Sequence, residues 1–364
     1  MVDDRDRFFM RKALGLAERG RGRTSPNPMV GAIVVDGDGV VVGRGAHEFA
    51  GGPHAEVHAL QDAGVRARGA TLYCTLEPCC HVGRTGPCAP LVAEAGIARV
   101  VIATDDPNPV AAGGAAWLRQ RGVEVTTGVL EADARRLNQA FFTVNHRRRP
   151  LVTMKVALSL DGKIAAHPGA RTAITGAAAN RLVHRERAEV DAIAVGSGTV
   201  VTDDPLLTPR VAFRQRPLAR VVYDTRLRVA PSARLFSTLD AGPVIIVTTA
   251  QALAEAGRRP ADLRLAGAEL LPMDAPGALR ASLEALAARG LCSMIVEGGA
   301  GLHRAFWDAG LVDRVQIYVG ACVIGNAGVD WLPDPVMSSS RVERRSARPL
   351  GADVLLEGHV HGTD

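Results

Sequence analysis

The 364-residue sequence is short of aromatic residues, which make up 4% of it, and nearly without lysine: among 43 basic residues only Lys12, Lys155 and Lys163 are lysines. Few ring faces leave few platforms for stacking bases, and the net charge of +5 comes without a basic cluster interleaved with aromatics, so a nucleic-acid partner is not expected. The longest basic run, Arg147 to Arg149 before Pro150, reads as a solvated linker. No apolar stretch approaches the roughly 18 residues of a membrane span, which excludes a transmembrane helix. The first twenty residues lack the continuous apolar core and small-residue cleavage site of an export signal. They read instead as an amphipathic helix with Phe8, Phe9, Leu14 and Leu16 available for burial. A cytoplasmic, reducing setting follows, in which clustered thiols point to metal or catalysis rather than disulfides. Also missing is any G-x-G-x-x-G, so a Rossmann dinucleotide fingerprint is excluded.

The length exceeds what one hydrophobic core usually fills, and two domains are expected. β-Branched segments alternate with helical ones throughout, which predicts α/β layers in both halves. VGAIVVD (30–36), ATLYCTL (70–76) and RVVIATD (99–105) read as buried strands. Between them, HAEVHALQDAG and APLVAEAG read as helices ending at Gly64 and Gly96. LEADARRLNQAFFTVNH reads as one further helix, and a new strand begins at Leu151, so the domains are placed at 1–147 and 148–364. In the second half DAIAVGSGTV, ARVVYD, GPVIIVTT, CSMIVEGG and RVQIYVGACVIG are strand-like.

Four of the six cysteines, Cys74, Cys79, Cys80 and Cys88, fall within fifteen residues. Upstream, Pro53 stands at the expected first turn of a helix with His54 and Glu56 just after it. One neutral imidazole and two thiolates, from His54, Cys79 and Cys88, balance the charge of zinc and leave a fourth tetrahedral position open, as a catalytic site requires. Glu56 need not bind the metal; it can take a proton from the attacking water and deliver it to a ring nitrogen and leaving amine. H-x-E followed by P-C-x-x-C is the signature of zinc deaminases, and here eight residues separate the two cysteines instead of two. A purely structural zinc would leave the acidic residue beside the ligands unexplained. His58, four residues beyond His54, reads as a core or surface histidine because the cysteines complete the set.

His54-Ala-Glu56 with Pro78-Cys79-Cys80-His81-Val82-Gly83-Arg84-Thr85-Gly86-Pro87-Cys88 resembles the riboflavin-pathway pyrimidine deaminases, whose pattern is H-A-E with P-C-x-H-x-G-x-T-P-P-C. Gly86 departs from that pattern's proline, and the resemblance gives Cys80 a non-ligand position. TSPNPMVG and DDPNP are similar to two further segments of the family. The resemblance implies a cytidine-deaminase-like three-layer fold, with Asn27, Asp106 and Asn108 on the substrate and His47, His81 and Arg84 as phosphate or ring contacts. Taken alone, His47 reads as an exposed polar residue, and Asn27 and DDPNP as ordinary turns.

MKVALSLDGKIA (154–165), RAEVDAIAVGSGTVVTDDPLLTPR (187–210) and VEGGAGL (296–302) resemble the reductase half of the riboflavin deaminase-reductases, related in fold to dihydrofolate reductase. The implied NADPH site comprises Ala157, Thr199, Asp203, Thr225 and the stretch Gly299, Ala300, Gly301, Leu302, His303, Arg304 and Ala305. Arg187, Leu207, Arg210 and Glu297 are implied to face substrate, with Arg171 at another family substrate position. Arg171 and Ala173 stand where the pattern has serine and tryptophan, so the tryptophan's packing against the cofactor is missing. In a chain where arginine has replaced nearly every lysine, Lys155 and Lys163 within one motif suggest a need for a compact ammonium, and Lys155 is the candidate catalytic group.

The expectation is a homo-oligomeric bifunctional enzyme that acts on a small phosphorylated aminopyrimidine with one zinc per chain and NADPH. Its rivals are a zinc deaminase with a degenerate or oligomerising second domain and, more remotely, a nucleic-acid-editing deaminase, which strong salt-dependent affinity for RNA or DNA would reveal.

Overall fold

A computed structural model of the chain describes residues 3–81, 86–210, 212–275, 278–333 and 335–360. It forms two compact units, and the chain passes from one to the other between Arg147 and Arg148. No helix among the described residues is long and apolar enough to cross a membrane.

The first unit runs α1 (Asp4–Ala17), β1 (Gly31–Val35), β2 (Val41–Ala46), α2 (Ala55–Ala63), β3 (Thr71–Cys74), α3 (Cys88–Glu94), β4 (Arg99–Ile102), α4 (Gly114–Arg119), β5 (Glu124–Thr126), α5 (Glu131–Leu137) and α6 (Gln139–Arg147). Its five strands lie in the order β2-β1-β3-β4-β5. β1 is antiparallel to β2 and β3, whereas β3, β4 and β5, joined through helices α3 and α4, are parallel. Alternate residues feed two cores: Ala32, Val34, Leu72 and Ile102 pack with α2 and α3, and Ile33, Val35, Tyr73 and Val101 pack with α1 and α5. The unit is therefore a three-layer sandwich. Phe9, Met10 and Ala13 of α1 are buried, but Phe8 is 51% exposed, because adjacent helical residues diverge by about 100° and cannot both face one layer. Lys12 covers its ring. The single helix expected after residue 130 is two, divided at Asn138, whose side chain is taken up by a distant backbone.

The second unit contains β6 (Leu151–Leu158), β7 (Lys163–Ala165), α7 (Ala177–Glu189), β8 (Ala192–Gly196), α8 (Ser197–Asp203), β9 (Ala219–Tyr223), β10 (Val244–Thr249), α9 (Ala250–Glu255), α10 (Arg259–Leu265), β11 (Ala268–Met273), α11 (Leu279–Ala288), β12 (Ser293–Glu297), α12 (Ala300–Asp308), β13 (Arg314–Val319), β14 (Val329–Asp330), β15 (Glu343–Leu350) and β16 (Asp353–His359). Nine strands form one sheet in the order β11-β10-β9-β8-β12-β6-β13-β16-β15, parallel as far as β13 and antiparallel through β16 and β15. One face packs on α11 and α12 and the other on α8 and α10. The strand expected through Val200 stops at Gly196, where the chain turns into α8.

Arg149 corrects the linker reading. It is 2% exposed and donates two hydrogen bonds to Asp313, at 2.6 and 2.8 Å; Asp313 also accepts from the Val152 amide at 2.9 Å. The basic run hid a buried pair because its partner lies 164 residues downstream. Arg149→Met would strand the Asp313 carboxylate in the core, and removing one member of such a pair costs roughly 3–5 kcal/mol. We expect a loss of that size in the urea unfolding of the second unit; a change below about 1 kcal/mol would contradict it.

Candidate active sites

In the first unit, α2 starts one residue later than expected: His54 is its N-cap, Pro53 precedes it, and Glu56 lies in the first turn. Two glycines bring that turn into place. A Cβ at Gly45 would come within 1.9 Å of the Ala55 carbonyl, and one at Gly43 within 2.1 Å of the Ala59 carbonyl, so α2 lies directly on β2. The chain after β3 delivers Cys79, and α3 opens with Cys88. His54 Nδ1 is 3.6 Å from Cys79 Sγ and 3.3 Å from Cys88 Sγ, and the three donors lie within 4.8 Å of one another. Ligand bonds of 2.0–2.3 Å at tetrahedral angles set an edge of about 3.5 Å, so the donor set fits zinc in both chemistry and spacing. Cys88 hydrogen-bonds to Cys79, pulling the Cys79 thiol below its ordinary range and pushing Cys88 above it.

Glu56 is 4% exposed and hydrogen-bonded to the Cys88 thiol. Burial pushes its carboxyl up to about 7, where one group can both accept and return a proton. His54, Glu56 and Cys79 open on a cavity of about 400 Å³ that also gathers Asn27, His47, His81, Asp106 and Asn108. Arg84 lies outside the described residues. His47 is 2% exposed rather than a surface residue. Its Nδ1 donates to the Pro53 carbonyl at 2.9 Å and its Nε2 accepts from Asn27 Nδ2 at 3.2 Å, so the ring sits neutral between the two loops. Asp106 accepts from the Asn108 amide at 2.8 Å in the turn expected of D-P-N-P, and burial raises its carboxyl to about 6. Cys80 packs on the core instead of the metal site.

Two positioning residues were not read from the sequence. Glu77 accepts from the amides of Asp106 (3.3 Å), Gly113 (3.2 Å) and Ala115 (2.8 Å), tying the substrate loop to the end of β3. Asn138 brackets Met29, accepting from its amide at 2.7 Å and donating to its carbonyl at 2.9 Å, which fixes the segment that carries Asn27. A polar residue interrupting an apolar helical stretch was the only signal of Asn138.

The second unit has a larger cavity, about 870 Å³, along the C-terminal ends of β6, β12, β8 and β9. Lys155 and Glu297 are register partners on β6 and β12. Glu297 accepts two hydrogen bonds from Arg187, both at 2.7 Å, and lies 3.7 Å from Lys155 Nζ. Burial alone would raise the Glu297 carboxyl; the two cations overcome it and hold it at about 2. Ala157, Arg171, Thr199, Asp203, Leu207, Arg210 and Thr225 line the same cavity, together with Gly299, Gly301, Leu302 and Ala305. Ala300, His303 and Arg304 do not: the helical period of α12 turns them off the cavity face. His303 is fully buried, its Nε2 donating to the Val296 carbonyl (3.1 Å) and its Nδ1 accepting from the Trp331 indole N–H (2.9 Å). Desolvation lowers its pKa to about 4, which keeps it a neutral core residue. Lys163 bonds Asp330 at 2.7 Å, joining β7 to β14. Arg228 and Arg234, which the sequence reading passed over, line the cavity as well.

Residues 3–104 match the cytidine and deoxycytidylate deaminase zinc-binding region, and residues 150–356 match the RibD C-terminal domain. The riboflavin biosynthesis protein RibD of Aquifex aeolicus is 38% identical over 363 residues, covering 98% of this chain and 99% of that protein. This chain belongs to the RibD family. Escherichia coli RibD is 37% identical over 370 residues, covering 96% of this chain and 98% of its own length. Among solved structures, Acinetobacter baumannii RibD superposes with a TM-score of 0.88 at 34% identity, covering 98% of this chain and 99% of that one. A Thermotoga maritima diaminohydroxyphosphoribosylaminopyrimidine deaminase/5-amino-6-(5-phosphoribosylamino)uracil reductase gives 0.86 at 35% identity, with 98% and 99% covered. RibD chains are bifunctional enzymes of riboflavin biosynthesis, and this one joins a zinc-dependent, cytidine-deaminase-like part to an NADPH-dependent, dihydrofolate-reductase-like part.

The second cavity fits that cofactor. Gly198, Gly299 and Gly301 line it with nothing within 4 Å of where a Cβ would stand, which lets a ligand approach the backbone. Gly299 caps α12 without a side-chain hydrogen bond, leaving first-turn N–H groups for a pyrophosphate.

Proposed function

We propose that residues 1–147 remove the 2-amino group of 2,5-diamino-6-(5-phosphoribosylamino)pyrimidin-4(3H)-one as ammonia, and that residues 148–364 reduce the ribosyl group of the resulting 5-amino-6-(5-phosphoribosylamino)uracil to ribityl. The enzyme acts in the cytoplasm as a homo-oligomer. Zinc held by His54, Cys79 and Cys88 supplies the Lewis acidity that makes water nucleophilic near neutral pH. Glu56 takes one proton from the attacking water and gives it to the ring nitrogen, then moves the second, from the hydroxyl so added to the ring carbon, to the departing amine. Asn27, His47, His81, Arg84, Asp106 and Asn108 hold the pyrimidine and its phosphate. In the second unit NADPH supplies the hydride. Lys155 faces the carbonyl oxygen on which negative charge develops, and Arg187, paired with Glu297, orients the substrate together with Arg210 and Leu207.

The observation that carries the deaminase assignment is the meeting of a three-donor metal set with a buried, proton-exchanging carboxyl in one cavity. Following ammonia release and NADPH oxidation together on the diaminopyrimidine substrate tests the whole reading. Both should occur, ammonia first, with one zinc per chain, the count a single three-ligand set implies. Cys79→Ser should lose zinc and ammonia release while still reducing supplied deaminated intermediate. Full deamination by metal-free protein would sink the metal assignment, and failure of the intact protein to bind or oxidise NADPH would leave a monofunctional deaminase.

A further inference from the structure

Five arginines line the cavity of the second unit. Three already have a place in the reading above: Arg187 donates two hydrogen bonds to Glu297, and Arg171 and Arg210 stand at substrate positions. Arg228 and Arg234 are left, and no described carboxylate forms an ion pair with either.

Arg228 is held in a defined place. The turn after β9 is closed by Asp224, a buried residue whose side chain accepts from the Val229 amide at 2.8 Å. Its own amide donates to Val247 on β10 at 2.9 Å. Leu227 is buried beneath the turn, and the Arg228 carbonyl accepts from Arg259 at 3.1 Å. With the backbone fixed, the Arg228 guanidinium reaches the first residue of α8 and donates from Nη2 to Ser197 Oγ at 2.8 Å. That bond uses one of five N–H donors and orients the rest of the fork. Thr225, at the head of the same turn, also lines the cavity.

The position matters because reduction takes place elsewhere. Lys155 and Glu297 sit on β6 and β12, and the β9 turn lies beyond β8 in the sheet order. Three strand spacings separate β6 from β9, roughly 14 Å. A dinucleotide with its nicotinamide at Lys155 and its pyrophosphate at the open glycines of α12 therefore carries its adenosine toward β9. NADPH and NADH differ only by a phosphate on the adenosine 2′-oxygen. A planar guanidinium free of acidic partners suits that group, whereas an acidic side chain would suit the unphosphorylated ribose.

We propose that Arg228 reads the 2′-phosphate of the cofactor and is the residue that makes the second unit select NADPH over NADH. The inference rests on the reductase reading above. Arg234 is the charge control: its amide is bound to Asp204 Oδ1 at the far end of α8, seven residues from the Ser197 end, on the same cavity but away from the turn.

The test is equilibrium binding to the full-length protein, by calorimetry or nicotinamide fluorescence, of NADPH, NADH, adenosine 2′,5′-bisphosphate and 5′-AMP. Wild type should prefer each 2′-phosphorylated ligand. Arg228→Gln should weaken those two by roughly 10–100-fold and leave NADH and 5′-AMP within about twofold, while Arg234→Gln changes the preference less than about threefold. Equal losses for phosphorylated and unphosphorylated ligands would mean a collapsed site and overturn the proposal. So would an unchanged preference in Arg228→Gln, or an equal shift in Arg234→Gln, which would indicate a diffuse field. Wild type that binds NADPH and NADH alike overturns the inference alone; wild type that binds neither overturns the reductase reading with it.

Discussion

Glu56→Gln is expected to purify with wild-type zinc and to release ammonia roughly 10²–10⁴-fold more slowly, the range lost when a positioned acid-base group is removed. The amide has nearly the shape of the carboxyl and can keep a hydrogen bond to Cys88, so the buried first turn of α2 and the His54, Cys79 and Cys88 donors should stay in place. What it cannot do is accept a proton from water and return it to the pyrimidine. Metal analysis, an ammonia assay on the diaminopyrimidine substrate, and NADPH oxidation on supplied deaminated intermediate separate the possibilities. Reduction should continue at its normal rate. A variant that deaminates normally would remove Glu56 from the mechanism, and one that loses its zinc would make Glu56 part of the metal site.

The first site could be read largely from sequence because its chemistry is local. His54 and Glu56 are two residues apart on one helical turn, and Cys79 and Cys88 enclose a single loop, so spacing alone suggests the donor set. Glu77 and Asn138 left little trace because each works on backbone amides far along the chain, 36 residues away at Gly113 and 109 at Met29. Arg149 was misread for the same reason: a run of three arginines looks solvated until the fold brings Asp313 against one of them. The stretch from Gly299 to Ala305 lines its cavity only in part. Seven consecutive residues cannot all face one cavity from a helix, and the period that admits Gly301, Leu302 and Ala305 sends His303 into the core. Strands β1, β3 and β4 were legible from their β-branched runs. The break between α5 and α6 was not, since the apolar pattern continues across Asn138 and only the tertiary contact to Met29 interrupts the helix.

Lys155→Ala is expected to lower NADPH-dependent reduction about a hundredfold or more, with zinc content and ammonia release unchanged. Lys155 is mostly buried, lines the cavity and stands 3.7 Å from Glu297, which removes the reading of a solvated lysine at a strand end. Its partner carboxylate is already matched by two hydrogen bonds from Arg187, so the charge of Lys155 is not consumed in holding the fold. An ammonium so placed can stabilise the negative charge that grows on the ribose oxygen as hydride arrives. Losing one such donor costs roughly 3–4 kcal/mol, or about two to three powers of ten in rate. Because Glu297 keeps Arg187, the variant should unfold at nearly the wild-type urea concentration, and the loss should fall on kcat rather than on cofactor affinity. A merely structural lysine would show the opposite pattern, with lower stability and a reduction rate near normal in the folded fraction. Wild-type kcat in a stable, fully folded variant would take the reducing step away from Lys155.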